Sequence, residues 1–258
     1  MRISGYRCFA ALLACCLCGA ALAEDLQATV GWSEKVELGT LVSGVVDKVH
    51  VRPGRTVAKG DELVSLDDRG FRAEVGRGKA AYRHARSVLA EARREDERAI
   101  ELYERTVLSD FERNQALIAL NLARATAESA RADLVHAELD LERSVIRAPF
   151  DGVVLAVNVA PGQTIVSDWQ SQPLVMIAND RVYRVRAQID AGQADRLQPG
   201  SGLKATVRGE LMPASVSFIG FEPTAQSEHG PVYQLVAEIE MGGDRTLRVG
   251  EKVVLHLD

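Results

Sequence analysis

Apolar positions along this chain keep two periods, and the switches between them mark out its architecture. Over residues 34–70, Val45, Val46, Val49 and Val51 stand among polar neighbours in strand-like fashion. Pro53-Gly54 and Lys59-Gly60-Asp61 signal turns, and Leu63-Val64-Ser65-Leu66 supplies a further short strand. From residue 71 the period lengthens. Tyr82, Ala85, Leu89, Ala92, Asp96, Ala99 and Tyr103 alternate spacings of three and four, a heptad seam broken by one acid. Asp67-Asp68 has the chemistry of a cap for that helix, and Ser109-Asp110 that of an N-cap with first-turn acid for a second. Leu120, Ala123, Ala127, Ala130, Leu134, Ala137 and Leu141 then repeat the seam without a break. Two seams joined by a short turn predict an antiparallel coiled-coil hairpin over residues 71–143, with arms reaching roughly 50 Å. Both outer faces are densely charged, Arg93 to Arg98 being a run of six with one alternative only, packing on a core, which that charge disfavours.

Pro149 and Asp151-Gly152 end the helical region and strand-like patterning resumes. The segment Gly152–Ile165 repeats Gly44–Val57 at a displacement of 108 residues, as G-V-V-x-x-V-x-V-x-P-G-x-T-[VI]. Neither half is large enough to bury a core alone. Residues 34–70 and 144–180 are therefore predicted to close into one shared β-sandwich, with the hairpin inserted between them. Residues 181–258 read as a separate small β-barrel. Val182–Ile189 alternates sharply, Pro199-Gly200-Ser201-Gly202 is a turn, and short strands are expected near 203–208, 214–221, 231–240 and 252–257. Glu24–Ser33 is read as a short lead. The expected fold class is α+β multidomain: a split sandwich, an inserted coiled-coil hairpin and a following barrel.

Residues 1–23 carry the marks of a secretory leader: Arg2 and Arg7, a short apolar run, and Ala21-Leu22-Ala23 before Glu24. All four cysteines (Cys8, Cys15, Cys16, Cys18) fall inside it, so the cleaved chain holds no thiol. Leu12-Leu13-Ala14-Cys15 also resembles a lipoprotein signal, which would leave a lipid anchor on Cys15; simple cleavage is favoured. Net charge is −5, and −7 once Arg2 and Arg7 leave, which argues against a nucleic-acid partner. The histidines His50, His84, His136, His229 and His256 show no ligand spacing, and Met176, Met212 and Met241 are scattered. No nucleophile elbow, phosphate loop or H-E-x-x-H is present, so no catalysis, metal or cofactor is expected. A lysine-borne carrier group is disfavoured as well: Lys48 lies within a strand and Lys59 in a turn away from the junction of the two halves.

Ser43–Val51, the K-G-D-x-L-V-x-L-D ending at Asp67, the hairpin insertion and the I-R-A-P-F-D-G-V-V of Ile146–Val154 together resemble the periplasmic adaptors, or membrane fusion proteins, of the HlyD-like superfamily. The resemblance runs from about residue 35 to the end. It implies a biotin/lipoyl-like domain, an α-helical hairpin and a β-barrel. It further implies a non-catalytic subunit in the periplasm, associated with the inner membrane. Such a subunit bridges an inner-membrane transporter and a TolC-like outer-membrane channel, self-associated in a ring as a trimer or hexamer. In the branch serving RND pumps, the tip that docks on the channel bears an Arg, a Leu four residues on and a Ser seven further; Arg98, Leu102 and Ser109 match that spacing. The family's membrane-proximal domain is expected to be absent. The alternatives are an adaptor of an ABC exporter or type I secretion system, and a pump-free periplasmic scaffold.

Overall fold

The computed structural model describes residues 24–167, 172–228, 230–241 and 247–257. The leader, Cys15 and its possible anchor, and His229 lie outside the described residues. Strand β1 (Glu24–Trp32) is followed by β2 (Lys35–Leu38), β3 (Gly44–Val49), β4 (Thr56–Val57) and β5 (Glu62–Leu66). Helices α1 (Arg69–Glu104) and α2 (Asp110–Arg143) come next, then β6 (Val145–Arg147), β7 (Gly152–Val157), β8 (Thr164–Ile165) and β9 (Val175–Ala178). The chain continues with β10 (Val182–Asp190), α3 (Ala191–Arg196), β11 (Gly202–Val207), β12 (Glu210–Ile219), β13 (Ala225–Ser227), β14 (Gly230–Glu240) and β15 (Lys252–Leu257). These elements fall into two compact units, one holding the sandwich and hairpin, the other the barrel.

The sandwich is two four-stranded sheets, β2-β9-β7-β4 and β6-β5-β3-β8. Exchanging the first half (β2 to β5) with the second (β6 to β9) turns one sheet order into the other, so the sequence duplication is a pseudo-two-fold. Each half lends its short strand to the other's sheet. Gly44 pairs with Ile165 and Val45 with Thr164, as Gly152 pairs with Val57 and Val153 with Thr56. Gly54 N–H donates to the Val154 carbonyl at 2.8 Å, and Gly162 N–H to that of Val46 at 2.8 Å. Both turn glycines are left-handed, with φ of 85° and 83°, which a side chain would strain. The irregularities match too: a bulge falls between Val46 and Lys48 and another between Val154 and Ala156. Val46, Leu63, Val64 and Leu66 from one half, and Val154, Ile165, Val175 and Ile177 from the other, fill one core. Neither half could bury these side chains alone, and that burial is the main force holding the halves together.

The hairpin grows from this sandwich. Val64 pairs with Ile146 and Ser65 with Val145, and Leu66 N–H donates to the Ser144 carbonyl at 2.8 Å, so both arms start from one antiparallel ladder. The Thr40 hydroxyl also reaches the Arg143 carbonyl at 3.1 Å, holding the end of α2. Between Tyr82 and Tyr103 every residue of the expected α1 seam is buried or half-buried, and the same holds from Leu120 to Leu141 on α2. Gly78 lets the arms close up, since a Cβ there would lie 3.1 Å from the Leu134 Cα. The start of α1 differs from expectation. Asp68 is the N-cap but its side chain caps nothing; it accepts instead from Arg72 Nε at 2.8 Å. Asp67 takes the Arg69 backbone N–H at 3.2 Å, and the Arg69 guanidinium holds its carboxyl down to about 2.

In the second unit, six strands close a ring in the order β10-β1-β15-β11-β12-β14, with β14 also pairing β10 and β13 lying outside beside β14. The stretch read from sequence as a lead is therefore a wall strand. Leu26, Ala28 and Val30 point inward at alternate positions. β1 pairs antiparallel with β15 from Glu24↔Leu257 to Thr29↔Lys252. On the other face, His256 spans three neighbouring strands, its Nδ1 2.6 Å from Asp25 Oδ1 and its Nε2 2.7 Å from Thr206 Oγ1.

Candidate docking site at the hairpin tip

The bend between the two helices is built by residues 105–109, which stop one helix and start the next. Val107 N–H donates to the Leu102 carbonyl and Thr106 N–H to that of Tyr103, each at 2.9 Å. These are the paired bonds of a Schellman stop, in which the residue past the cap turns left-handed. Here that residue is Thr106, at φ 56°, where a β-branched side chain is strained and glycine is usual. Thr106→Gly is expected to raise the protein's stability by about 1 kcal/mol, read as a higher urea midpoint at unchanged slope.

Ser109 then starts α2 through a reciprocal capping box. Its hydroxyl receives the Glu112 backbone N–H at 3.3 Å, and its own N–H donates to Glu112 Oε2 at 3.0 Å. The Ser109 N–H, and secondarily its hydroxyl at 2.7 Å, lower the Glu112 carboxyl below its ordinary value. A lowered acid stabilises the fold above its unfolded-state pKa, and that contribution disappears as pH falls through the lowered value. Across the bend, a hydrogen bond to Asp110 raises the Tyr103 phenol, and the Arg113 guanidinium lies 5.1 Å from the centre of that ring.

The three residues singled out from sequence all lie at this distal end. Arg98 is exposed on α1 and its Nη1 reaches Glu95 Oε1 at 2.7 Å. Leu102 is half-buried in the last turn of α1, and Ser109 is exposed at the first cap of α2. The structure thus brings Leu102 and Ser109 to either side of one turn and sets Arg98 a turn further back. It does not make a cleft of them. The tip presents a charged, a polar and an apolar side chain close together.

Sequence reasoning missed another set at the same end. Val107, Phe111, Ile118 and Leu122 are large apolar side chains that stand 66% to 70% exposed. The signal was available: residues 114–123 of α2 contain no charge. Elsewhere, His84 is exposed and His136 pairs with Asp140 at 3.3 Å across one turn. Lys48 is exposed beside Asp47, and the Lys59 turn is fixed by its N–H donating to Asp151 Oδ1 at 2.8 Å. At the hairpin root an open groove of about 710 Å³ is lined by His50, Glu62, Asp67, Arg69 and Arg147, with Arg147 and Glu62 paired at 2.8 Å. Among the described residues, no cluster of three His, Cys, Asp or Glu side chains is placed to hold a metal ion.

Residues 35–179 match the CzcB-like barrel-sandwich hybrid domain. The chain is 30% identical over 179 residues to the pyoverdine export membrane fusion protein PvdR of Pseudomonas aeruginosa, covering 64% of this chain and 46% of that one. It is 26% identical over 190 residues to the macrolide export protein MacA of Yersinia pestis, covering 68% and 51%. The chain therefore spans about half the length of the curated relatives it matches. Among solved structures, the membrane fusion protein Spr0693 of Streptococcus pneumoniae R6 superposes with a TM-score of 0.67 at 19% identity, over 90% of this chain and 97% of that one. MacA of Actinobacillus actinomycetemcomitans does so with a TM-score of 0.56 at 21% identity, over 92% and 79%. At these identities the structural likeness speaks for the fold alone: a barrel-sandwich hybrid carrying an inserted hairpin, followed by a six-stranded barrel.

Proposed function

The chain belongs to the CzcB-like barrel-sandwich hybrid family of membrane fusion proteins, the non-catalytic periplasmic adaptors, and from that premise we propose that it couples an inner-membrane transporter to an outer-membrane channel in a tripartite efflux system. The observation that carries this reading is the hairpin itself. Arms of 36 and 34 residues leave one antiparallel ladder of the sandwich and end in a capped bend with its side chains presented to solvent. The export roles in the names of PvdR and MacA support the same direction. No described helix is long and apolar enough to cross a membrane.

The channel side of the bridge is Arg98, Leu102 and Ser109. Arg98 supplies a cation for an acidic or carbonyl-lined groove, Leu102 an apolar contact, and Ser109 a polar contact. Because the spacing of these three matches the branch serving RND pumps, the transporter is assigned to that class. The protein acts in the periplasm, beside the inner membrane, and self-associates around the transporter.

Residues 24–258 contain no cysteine, which makes a direct test practical. A cysteine placed at Ser109 in the exported chain, joined by a short thiol crosslinker to cysteines introduced along the mouth of the candidate channel, is expected to trap the channel. Mass spectrometry of the inner-membrane protein co-purifying with the adaptor then identifies an RND pump or, if the class assignment is wrong, an ABC exporter. Failure to trap any outer-membrane protein, with the adaptor at normal abundance, rejects tip docking.

A further inference from the structure

The second unit carries a polar hollow on the outer wall of its barrel that the bridging role leaves unused. An open cavity of about 350 Å³ is lined by Gln27, Thr29, Arg186, Gln188, Thr224 and Gln234. Distant stretches of the chain supply these residues, and they meet because β10 pairs with both β1 and β14. Alternation along β10 does the sorting. Tyr183, Val185, Ala187 and Ile189 fill the barrel, which turns Arg186 and Gln188 outward beside Gln27 and Thr29.

The lining holds one guanidinium, several uncharged hydrogen-bonding groups and no carboxylate. Other arginines of this unit are answered by acids: Arg184 lies 3.6 Å from Glu238, and Arg208 pairs with Glu251. Among the described residues, Arg186 has no acid and no hydrogen-bond acceptor. Its head is nonetheless held in place over β1. A Cβ at Gly31 would lie 3.5 Å from Arg186 Nη1 and 3.9 Å from its Cζ, so the guanidinium rests against the bare backbone of that glycine. Gly31 has no left-handed φ that would call for glycine. Glycine inside a strand costs stability and is kept where another group comes close to the backbone.

A seated guanidinium without an acid suits a planar oxyanion, which it holds through two parallel N–H bonds. One cation balances one negative charge. A phosphate monoester carries nearly two and would stay partly uncompensated; a carboxylate would not. The amides and hydroxyls around Arg186 both donate and accept, which matches hydroxyl groups on the same ligand. The Thr224 hydroxyl already donates to the Val232 carbonyl at 3.3 Å and offers its lone pairs. The hollow is small for a ligand site, nearer to one sugar ring than to an oligosaccharide. We propose that it binds a small hydroxylated carboxylate of the sugar-acid class, with Arg186 on the carboxylate and Gln27, Gln188 and Gln234 on the hydroxyls. Such a ligand bridges three neighbouring strands of the wall.

Calorimetric titration of the purified full chain with galacturonate is the test. Saturable binding at one site per chain is expected. Galactose and acetate each lack half of the recognised chemistry and bind at least about tenfold more weakly, as does inorganic phosphate. Arg186→Gln lowers the affinity for galacturonate by about tenfold or more. Arg186→Lys lowers it less, since lysine keeps the charge without the fork. Arg184→Gln, on the same strand but outside the hollow, keeps the parental affinity. The Arg186 variants keep the parental thermal midpoint without ligand, because that side chain is exposed. Absence of saturable binding, equal affinity for galactose or phosphate, binding that survives Arg186→Gln, or an equal loss in Arg184→Gln each overturns the proposal.

Discussion

Alanine at Gly152 is expected to destabilise the sandwich by about 3 kcal/mol or more, while alanine at its counterpart Gly44 costs less than about 1 kcal/mol. The two glycines occupy equivalent places in the duplicated half, each opening a strand that pairs with the other half's short strand. Their surroundings differ. A Cβ at Gly152 would fall 2.1 Å from the Ala178 carbonyl oxygen and 2.9 Å from its carbon. Those are backbone atoms of β9, already paired with β2 and β7, and they cannot swing aside. A Cβ at Gly44 would meet the Leu66 Cδ1 at 3.2 Å, the far end of a side chain that can rotate. Urea unfolding of the two variants measures the contrast. Equal midpoints for Gly152→Ala and the parent protein would show that β9 yields more readily than its pairing implies.

Reversing the charge at Arg98 is expected to abolish export, with sensitivity to the exported compound rising by about tenfold or more at unchanged protein level and thermal midpoint. The position suits a clean test. Arg98 is exposed and its partner is Glu95, one turn away on the same helix. Arg98→Glu sets two acids side by side there, which costs a helix only about 0.5 kcal/mol. Ser109 makes a poorer probe, because bulk at that position also removes the α2 cap and costs about 1 kcal/mol of helix stability. Sensitivity equal to that of the parent strain, with the variant adaptor at normal level, would rule out a docking role for Arg98.

The seams and the duplicated half-sandwich were legible because each rests on a local period repeated many times. Heptad spacing over Tyr82–Tyr103 and Leu120–Leu141 leaves little choice of face, and the G-V-V to P-G-x-T pattern occurs twice. The strand at Glu24–Trp32 was harder to read. Leu26, Ala28 and Val30 do alternate, but they occupy only nine residues and their partner β15 lies more than 220 residues away. No local pattern signals pairing over such a distance. The outer line of α2 was overlooked for a different reason. Once one seam accounts for a helix, its opposite face is assumed to be solvated, so the uncharged run over residues 114–123 gained its meaning only when Ile118 and Leu122 were seen to be exposed. The strain at Thr106 left no mark in the sequence, since threonine is common in turns and only the backbone angle singles it out.

The barrel's seam joins two strands that lie far apart in the chain, β1 and β15. β1 is made more than 220 residues before β15 and stays without that neighbour until β15 follows. Until then the ring is open and β1 has a bare edge that another strand could occupy. A chain made from its amino end passes through that state on every synthesis. A chain cut short before β15 would keep that edge bare and open to pairing with other strands.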